Sequence, residues 1–540
     1  MNIKLIFPPT VGYMYGLGFA SYNIPPYGMG ILSAFLRRHF HFVEQEDLLL
    51  NVNYCNEDRH YFKKRKRTEF NIVKLKNVEL YPLIYKGEIK DKEIISFIDE
   101  ILDSISVDRF NLTGFSIFTF DQFLFALLLS KRLKQRIDIP IVFGGAFITL
   151  YGQLYPEIFN FVDYTIIGDG GIPLLRLIDY LNNKISIFEV PNLIYKKNGK
   201  LIANPKEYYP LEDMPVPEFD GLPMELYRGF ETGNNILLPY QITSGCSNKC
   251  SFCTYYINDK LEFKSYNKVV TEIRQMKERY NSNIFYFCDN LINNSYDYLE
   301  GLCDSFIENK LDICWSVYVK FGNLDSHILK KMKEAGCQWL KFGIESGSNN
   351  VLNRMHKGFT SEQAAETLKC SHEVRIKNQI FLLVGYPYET DQDINRTILF
   401  IENNKEYISK ILIYKFQLEE QSLLCAMPNS YEITKTFPRP CRFVLSFDEL
   451  KGLKWNKKFK QQEYSARKIL KTVLFNGKVH RKYKNLFIFP IIYCLYTIIL
   501  SNEKIKVFLI RNKILNNCFV HLIPQKFKNV LAYFQGCFIK

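Results

Sequence analysis

Two stretches of the chain alternate short apolar segments with helical patterns, and this alternation narrows the possible folds more than any other feature. The apolar segments lie at 3–7, 112–117, 139–143 and 164–167 in the first stretch, and at 236–243, 284–287, 313–319, 339–344, 379–384 and 411–418 in the second. Strands separated by helices are typical of parallel sheets. We therefore predict an α/β fold with a doubly wound, Rossmann-like first domain and a central partial (β/α)6 barrel.

The chain has 540 residues, which is enough for two or three domains. We expect the first domain at 1–185, a linker at 186–232, the partial barrel at 233–430, and a basic, apolar and mainly helical C-terminal region at 431–540. The linker is marked by five prolines, which interrupt both helices and sheets: Pro205, Pro210, Pro215, Pro217 and Pro223.

Positive charge is concentrated in the C-terminal region. The whole chain has a formal net charge of +14, but residues 451–540 hold 19 Lys or Arg against two Glu, which leaves −3 for residues 1–450. The same region contains 15 uncharged residues at 486–500, fewer than the about 20 that a membrane-spanning helix needs. A small helical cap with a solvated basic face and a segment that contacts an anionic membrane surface both fit this composition.

Three cysteines, Cys246, Cys250 and Cys253, have C-x3-C-x2-C spacing, so one short loop can present three thiolates to a single metal cluster. Three ligands for a four-iron cluster leave one iron open, whereas the four-cysteine cages of electron carriers are closed. A structural zinc site is the main alternative, but zinc usually takes four ligands, and no second C-x2-C or H-x3-H pair occurs in the sequence. The other eleven cysteines are scattered and we expect no secretory signal, so disulfide bonds are not expected.

The cysteine loop, with Phe252 just before its last cysteine, resembles that of the radical S-adenosylmethionine (SAM) enzymes. Two further segments match motifs of this family in the same order, FGIESG at 342–347 and GYPYET at 385–390. The resemblance implies that Cys246, Cys250 and Cys253 hold a 4Fe-4S cluster whose open iron binds SAM. It also implies that five residues contact SAM: Phe252, Asp289, Glu345, Ser346 and Gly385.

Two positions in this region leave alternatives open. Lys320 stands where many relatives carry arginine, so it keeps the charge but loses the bidentate fork for the SAM carboxylate. Glu389 either belongs to a turn beside the adenine of SAM or caps the helix that follows, because acidic residues favour helix starts.

The first domain resembles the cobalamin-binding domain of many radical SAM enzymes in four segments, 24–38, 114–119, 144–149 and 163–170. The resemblance implies that loops at the carboxyl edge of the sheet hold the corrin and its nucleotide tail. No D-x-H-x-x-G motif is present, so no protein histidine would bind cobalt from below, and the usual Gly-Glu-Gly-Glu is Gly-Asp-Gly-Gly at 168–171. A fold of this type that binds nothing is the alternative. The residues implied are Ser116, Gly144, Gly145, Thr149, Gly168 and Asp169.

The resemblance predicts a cobalamin-dependent radical methylase that cleaves SAM and methylates an unactivated carbon of a small molecule, a peptide natural product or a lipid. The alternatives are a cobalamin-independent radical enzyme that cyclises or rearranges its substrate, and a non-catalytic corrinoid- or cluster-binding protein. A transfer-RNA methylthiotransferase is disfavoured, because it needs cysteine ligands for a second cluster and only Cys55 precedes Cys246. We expect a cytoplasmic protein that takes electrons from a flavodoxin or ferredoxin, binds no nucleic acid, and can contact the inner membrane face through its basic tail.

Overall fold

The computed structural model describes residues 1–10, 24–53, 91–228, 235–254, 260–438 and 441–476, together with 84, 86 and 89. Within these residues two sheets built largely of parallel strands follow one another along the chain, and a small antiparallel sheet follows the second. The apolar stretch at 486–500 and the rest of the basic tail beyond 476 lie outside the described residues. In the described part, no helix is long and apolar enough to cross a membrane.

The first sheet has seven strands in the order β2-β1-β3-β4-β5-β6-β7. The strand order reverses between β1 and β3, the position at which doubly wound sheets bind ligands outside the carboxyl ends of their strands. This order confirms the predicted doubly wound domain. The five parallel strands are β1 (Asn2–Phe7), β2 (Phe42–Asp47), β3 (Leu112–Ser116), β4 (Ile141–Gly144) and β5 (Tyr164–Ile166).

Helices connect these strands and cover the sheet. The helix Lys92–Ile105 begins at Asp91, whose carboxylate accepts two backbone N–H groups, and it buries an apolar face with helical spacing. The helix Phe120–Lys134 begins with a capping box formed by Thr119 and Gln122. The other helices of this domain are Tyr27–Arg38, Leu48–Asn53, Ala146–Tyr151 and Gly171–Leu181.

An antiparallel hairpin extends the first sheet beyond the predicted domain boundary at 185. Its strands are β6 (Leu193–Lys197) and β7 (Lys200–Ala203), and β6 pairs with β5. Asn198 and Gly199 both have positive φ, as a tight two-residue hairpin turn requires. The structure therefore corrects the predicted linker: residues 193–203 belong to the first sheet, and the proline-rich segment starts after them.

The proline-rich segment holds the two parallel sheets together. Phe219 is fully buried, its backbone N–H donates to the Tyr280 hydroxyl at 2.7 Å, and its ring occupies the space beside Gly30. Glu218 forms ion pairs with Arg37 of the first domain at 3.4 Å and with Arg279 of the second at 3.3 Å. The apolar core consequently runs without interruption from one sheet to the other.

The second sheet has six parallel strands in consecutive order, β15-β14-β13-β12-β11-β8, which confirms the predicted partial barrel. Its strands are β8 (Leu237–Tyr240), β11 (Ile284–Phe287), β12 (Cys314–Val319), β13 (Cys337–Glu345), β14 (Lys377–Val384) and β15 (Ile408–Lys415). A short antiparallel pair, β9 (Thr243–Ser244) and β10 (Glu262–Phe263), flanks the cysteine loop. The helices are Tyr266–Tyr280, Tyr296–Glu308, Ser326–Glu334, Asn349–Arg354, Ser361–Glu373 and Asp391–Asn404.

The described part of the C-terminal region packs on the barrel edge. Three short strands, β16 (Leu418–Glu419), β17 (Ile433–Pro438) and β18 (Val444–Glu449), precede the helix Trp455–Asn476. Gln462 of this helix donates to the backbone carbonyls of Gly385 at 3.3 Å and Phe416 at 3.0 Å.

Candidate active site

The three cysteines lie in the loop that follows β9, at the carboxyl end of the barrel strands. Gly245 opens this loop with a φ of +80°, and a Cβ there would lie 2.5 Å from the Lys260 carbonyl oxygen. Only glycine fits this turn without strain. Cys250 is buried, whereas Cys246 and Cys253 are half-buried.

Ser251 fixes the second half of the loop to three other segments. Its backbone N–H donates to the Met355 carbonyl at 3.1 Å, and its carbonyl accepts from the Leu424 N–H at 2.8 Å. Its hydroxyl is hydrogen-bonded to the Tyr386 hydroxyl at 2.7 Å. The segment between Cys250 and Cys253 is therefore held in one position by the folded barrel.

The first half of the loop is fixed by residues that follow β11 and β12. The Asn294 amide accepts from the Ser247 N–H at 2.9 Å and donates to the Gly245 carbonyl at 3.3 Å. The Lys320 ammonium donates to the Ser247 hydroxyl at 2.8 Å. Lys320 therefore contacts the cysteine loop. The contact of this residue with the SAM carboxylate, which the family resemblance suggested, stays a prediction.

Glu345 and Lys357 form an ion pair beside the cysteines. The Lys357 ammonium lies 3.2 Å from Glu345 Oε1 and 5.6 Å from the Phe252 ring centroid, and the two charged side chains are only 8% and 13% exposed. Burial alone would lower the pKa of Lys357, but Glu345 and the thiols of Cys250 and Cys253 raise it above its usual range, so the ammonium remains charged.

Lys357 also affects the cysteine that is most buried. Burial raises the pKa of the Cys250 thiol, and the Lys357 ammonium opposes that shift. Cluster ligation needs thiolates, which a nearby cation stabilises. The sequence alone does not place Lys357 here, because spacing along the chain gives no indication of its distance to the cysteines.

Asp289 holds the strand that leads into the cysteine loop. Its Oδ1 accepts from the backbone N–H groups of Ile242, at 3.0 Å, and Thr243, and among the described residues its Oδ2 has no hydrogen-bond partner. Burial raises its pKa to about 6. Asp289 follows β11 and Glu345 ends β13, so one intervening strand separates them by about 10 Å. The contacts of Asp289 are architectural, and its predicted contact with SAM stays a prediction.

Ser346 and Gly385 also have architectural contacts. The Ser346 hydroxyl is hydrogen-bonded to the Thr397 hydroxyl at 3.1 Å and accepts from the Ser348 N–H at 3.2 Å. Gly385 has a φ of +84°, and a Cβ there would lie 2.0 Å from Cγ of Gln462. Both residues therefore support the packing of the barrel, and their predicted contacts with SAM stay predictions.

Glu389 is not the helix cap. The helix Asp391–Asn404 is capped by Thr390 with Asp393, whereas Glu389 is buried and accepts from the Gly385 N–H at 2.5 Å. Burial raises the pKa of Glu389 to about 7, although that hydrogen bond opposes the shift. Glu389 therefore closes the turn after β14.

A cavity of about 290 Å³ lies at the carboxyl edge of the first sheet. Five of the six residues predicted to bind cobalamin line it, and Thr149 lies just behind, where its hydroxyl accepts from the Gly168 N–H at 2.9 Å. A Cβ at Gly28 or Gly144 would approach no atom closer than 4.0 or 3.7 Å, so these two glycines keep space open for a ligand. The five lining residues are Ser116, Gly144, Gly145, Gly168 and Asp169.

The opposite wall of this cavity comes from the second domain. Gln241, Ser244 and Glu262 line it, and Ser244 is two residues before Cys246. Glu262 and Asp169 face each other across the cavity. Desolvation raises the pKa of both carboxyl groups, and the negative charge of Glu262 raises the pKa of Asp169 further. A ligand on the first sheet would thus lie directly beside the cysteine loop, and hydrogen-bond donors such as amides would suit the two carboxylates.

Among the described residues, no three His, Cys, Asp or Glu side chains are close enough to hold one metal ion. A tetrahedral zinc site would need its sulfurs about 4 Å apart. A four-iron cluster binds each thiolate through a different iron, so its ligands need not converge. Three cysteine ligands from one short loop would leave one iron of such a cluster open.

Comparison with protein families agrees with these observations. Residues 240–401 match the radical SAM superfamily model. An uncharacterised methyltransferase of Pyrococcus horikoshii is 23% identical over 56% of this chain and 66% of its own length. The cytidylyl-2-hydroxyethylphosphonate methyltransferase of Streptomyces wedmorensis is 24% identical over 42% of this chain and 48% of its own length. The chain thus spans about half to two thirds of the length of these relatives.

Solved structures extend the similarity to the first domain. The cobalamin-dependent SAM radical enzyme OxsB, with aqua-cobalamin and SAM bound, has a TM-score of 0.62 at 14% identity, over 86% of this chain and 66% of its own. The radical SAM methyltransferase TsrM of Kitasatospora setae, with cobalamin and a [4Fe-4S] cluster bound, has a TM-score of 0.62 at 14% identity, over 87% of this chain and 88% of its own. At this identity the similarity shows the fold.

Proposed function

We propose that this protein is a cobalamin-dependent radical SAM methyltransferase, because residues 240–401 match the radical SAM superfamily model and the chain has the fold of cobalamin-dependent radical SAM enzymes. It would reductively cleave SAM at a 4Fe-4S cluster, form a 5'-deoxyadenosyl radical, and methylate an unactivated carbon. Relatives named as methyltransferases support the choice of reaction.

The observation that carries the proposal is the shared wall between the cavity of the first sheet and the cysteine loop. Ser116, Gly144 and Asp169 contribute one side of the cavity, and Ser244 and Glu262 contribute the other. Methyl transfer to a substrate radical needs both cofactors beside the same substrate atom, because proximity and orientation supply much of the rate. A corrin in this cavity and a cluster on the cysteine loop would have this juxtaposition.

The residues around the cysteine loop would orient the cofactors and exclude water. When bound, the cluster would supply the electron that cleaves SAM, and cobalamin would supply the methyl group. Cys246, Cys250 and Cys253 would be the cluster ligands, Ser251 holds their loop rigid, and the Lys357 ammonium offsets part of the thiolate charge. Glu345, at the end of β13, presents a carboxylate that can accept from the SAM ribose or ammonium.

An electron donor with an acidic surface, such as a flavodoxin or a ferredoxin, is part of the proposal. Lys249 is exposed within the cysteine loop, and Lys260, which is 62% exposed, lies directly behind Gly245. Cations next to the cluster would steer an acidic partner to the shortest electron path. Raising the salt concentration should therefore slow reduction of the cluster by such a donor.

The test uses anaerobically reconstituted protein from cells supplied with cobalamin. We expect about four iron and four sulfide per chain, near-stoichiometric corrinoid, and formation of 5'-deoxyadenosine from SAM after reduction. Single Cys→Ala changes at 246, 250 or 253 should abolish the cluster and SAM cleavage together, whereas Cys303→Ala, in the buried helix Tyr296–Glu308, should not.

The outcomes separate the parts of the proposal. Turnover that survives any one of the three cysteine changes would contradict the catalytic assignment. Iron–sulfur protein that cleaves SAM but retains no corrinoid would contradict the methyltransferase and support cobalamin-independent radical chemistry. Protein that binds both cofactors and cleaves no SAM would indicate a non-catalytic binding protein.

A further inference from the structure

One side of the helix Trp455–Asn476 is basic along most of its length. Successive residues of an α-helix are about 100° apart, so positions separated by three, four or seven residues share a side. We call the residues that share this side the basic face: Lys457, Lys460, Tyr464, Arg467, Lys468 and Lys471. Five of these six carry a positive charge. They lie within an arc of about 100° that contains no acidic residue.

The opposite side of the helix is fixed to the barrel. Ile469 is fully buried there. Lys458 is buried on that side too, and its ammonium pairs with Glu449 at 2.8 Å. The Gln461 amide donates to the Glu389 carbonyl at 3.0 Å, in the turn after β14. The basic face therefore points away from the barrel.

Most charges of the basic face have no partner in the protein. Arg467 lies 3.9 Å from Glu463, one turn earlier on the same helix. Lys457, Lys460 and Lys471 are exposed, and none of them forms an ion pair with another described residue. The first and last of these three are about 21 Å apart along the helix axis. The helix thus presents an extended row of cations to its surroundings.

Aromatic side chains accompany these cations. Tyr464, in the middle of the basic face, is 57% exposed, and Phe459, on the flank of the helix, is 39% exposed. The Lys468 ammonium lies 5.9 Å from the Tyr464 ring centroid. An exposed tyrosine combines an apolar ring with a polar hydroxyl, which suits the headgroup region of a bilayer. Helices with this composition bind in the plane of anionic lipid surfaces.

The sequence after the helix distinguishes a bilayer from a nucleic acid. Glu503 is the one acidic residue beyond 476, and Lys484 and Lys504 flank the 15 uncharged residues at 486–500. A nucleic acid would attract the basic residues but offers little to a long apolar stretch. An anionic bilayer attracts the basic residues and also provides an apolar interior. The composition therefore favours a bilayer.

We propose that the basic face binds an anionic lipid surface and so holds the enzyme at a membrane. Its lysines and Arg467 would contact lipid phosphates, and Tyr464 would enter the headgroup region. Lys468 also donates to Asn395 of the helix Asp391–Asn404 at 2.7 Å. Because the basic face is fixed to the barrel on this side, the enzyme would have a defined orientation on the surface.

The test is flotation of anaerobically reconstituted, unreduced protein with vesicles of phosphatidylcholine, either alone or mixed with phosphatidylglycerol. We expect binding to the mixed vesicles only, and weaker binding at higher salt concentration. Lys457→Gln/Lys460→Gln/Lys471→Gln should bind the mixed vesicles about a hundredfold more weakly, because each basic residue at such a surface contributes about fivefold.

Lys310→Gln/Lys330→Gln/Lys369→Gln is the matched control. These three lysines are also exposed and form no ion pair with another described residue, but they lie elsewhere on the barrel. The control loses the same charge and should bind the mixed vesicles as wild type does. Both triple variants should keep the wild-type Tm, since all six lysines are on the surface.

Tyr464→Trp shows whether the helix itself meets the lipid. After subtraction of the wild-type signal, its emission should move to shorter wavelength with the mixed vesicles and stay unchanged with phosphatidylcholine alone. No emission change with the mixed vesicles, equal vesicle binding by wild type and the Lys457 triple variant, or an equal loss in the control would overturn the inference. Tighter binding of wild type to a single-stranded oligonucleotide than to the mixed vesicles would overturn it as well.

Discussion

Lys357→Met removes one charge of a buried ion pair beside the cysteine loop, and its effect can be worked out from the geometry. The Lys357 ammonium and Glu345 Oε1 are 3.2 Å apart, and the side chains are 8% and 13% exposed. At an effective dielectric constant of about 20, their attraction is about 5 kcal/mol. Removing one partner leaves Glu345 buried and unpaired, and such changes cost about 3–5 kcal/mol of unfolding free energy.

The assay is calorimetric unfolding of the cluster-free, reduced protein. For a unit the size of the barrel, each kcal/mol corresponds to about 2–4 °C, so we expect the Tm of the barrel transition to fall by about 6–20 °C. Lys331→Met is the matched control, because Lys331 pairs with Glu300 at 3.0 Å and Asp304 at 2.9 Å on the surface. Exposed pairs contribute about 1 kcal/mol or less, and the control should lose no more than about 4 °C.

The double variant Lys357→Met/Glu345→Gln completes the cycle. It should be more stable than the sum of the two single changes predicts, since it leaves no buried charge without a partner. Equal losses in Lys357→Met and Lys331→Met, or additive losses in the double variant, would refute the reasoning. In cluster-loaded protein the same lysine change should shift the cluster reduction potential to more negative values, because a cation next to the thiolates favours the added electron.

Three further changes test other parts of the structure. Gly385→Ala should lower the Tm, because its Cβ would lie 2.0 Å from Cγ of Gln462 at a φ of +84°, and Gln462→Ala in the same chain should restore part of the loss. Gly28→Val, with nothing nearer than 4.0 Å to its new Cβ, should reduce corrinoid retained after gel filtration and leave iron content unchanged. Burial raises the pKa of Asp289 to about 6, so the folded protein loses stability as pH rises through 4 to 6 and this carboxyl group ionises. The Tm of Asp289→Asn should therefore rise relative to that of wild type between pH 5 and pH 8. A Tm difference between the two proteins that does not change with pH would count against this.

Several elements were predictable because their signals are local. The Asn198–Gly199 pair is a two-residue hairpin signal, so the hairpin that lies within the predicted linker was predictable from the sequence. The cap of the helix after Gly385 was equally local, since Thr390 and Asp393 have capping-box spacing. Of the two alternatives for Glu389, the structure excludes the helix cap, and the contact with the adenine of SAM stays a prediction.

Other features depended on residues far apart in the chain. Tyr386 lies 135 residues after Ser251, and Gln462 lies 77 residues after Gly385, yet each pair is in contact. The spacing of residues along the sequence does not reveal these contacts, because they follow from the order and register of the strands and from side-chain packing. Lys357 belongs to the same class, because packing has buried it beside Glu345 and the cysteine loop.

The two α/β units, the C-x3-C-x2-C loop and the glycine-rich edge of the first sheet were all predictable from the order of residues along the chain. These follow from periodicity, ligand spacing and glycine, which act over a few residues. The folded chain was needed to show that Glu262 and Ser244 close the cavity of the first sheet, that Lys357 lies beside Cys250, and that Asp289 supports a strand end. Those outcomes depend on how two sheets pack through the segment around Phe219, and packing is a property of the whole chain.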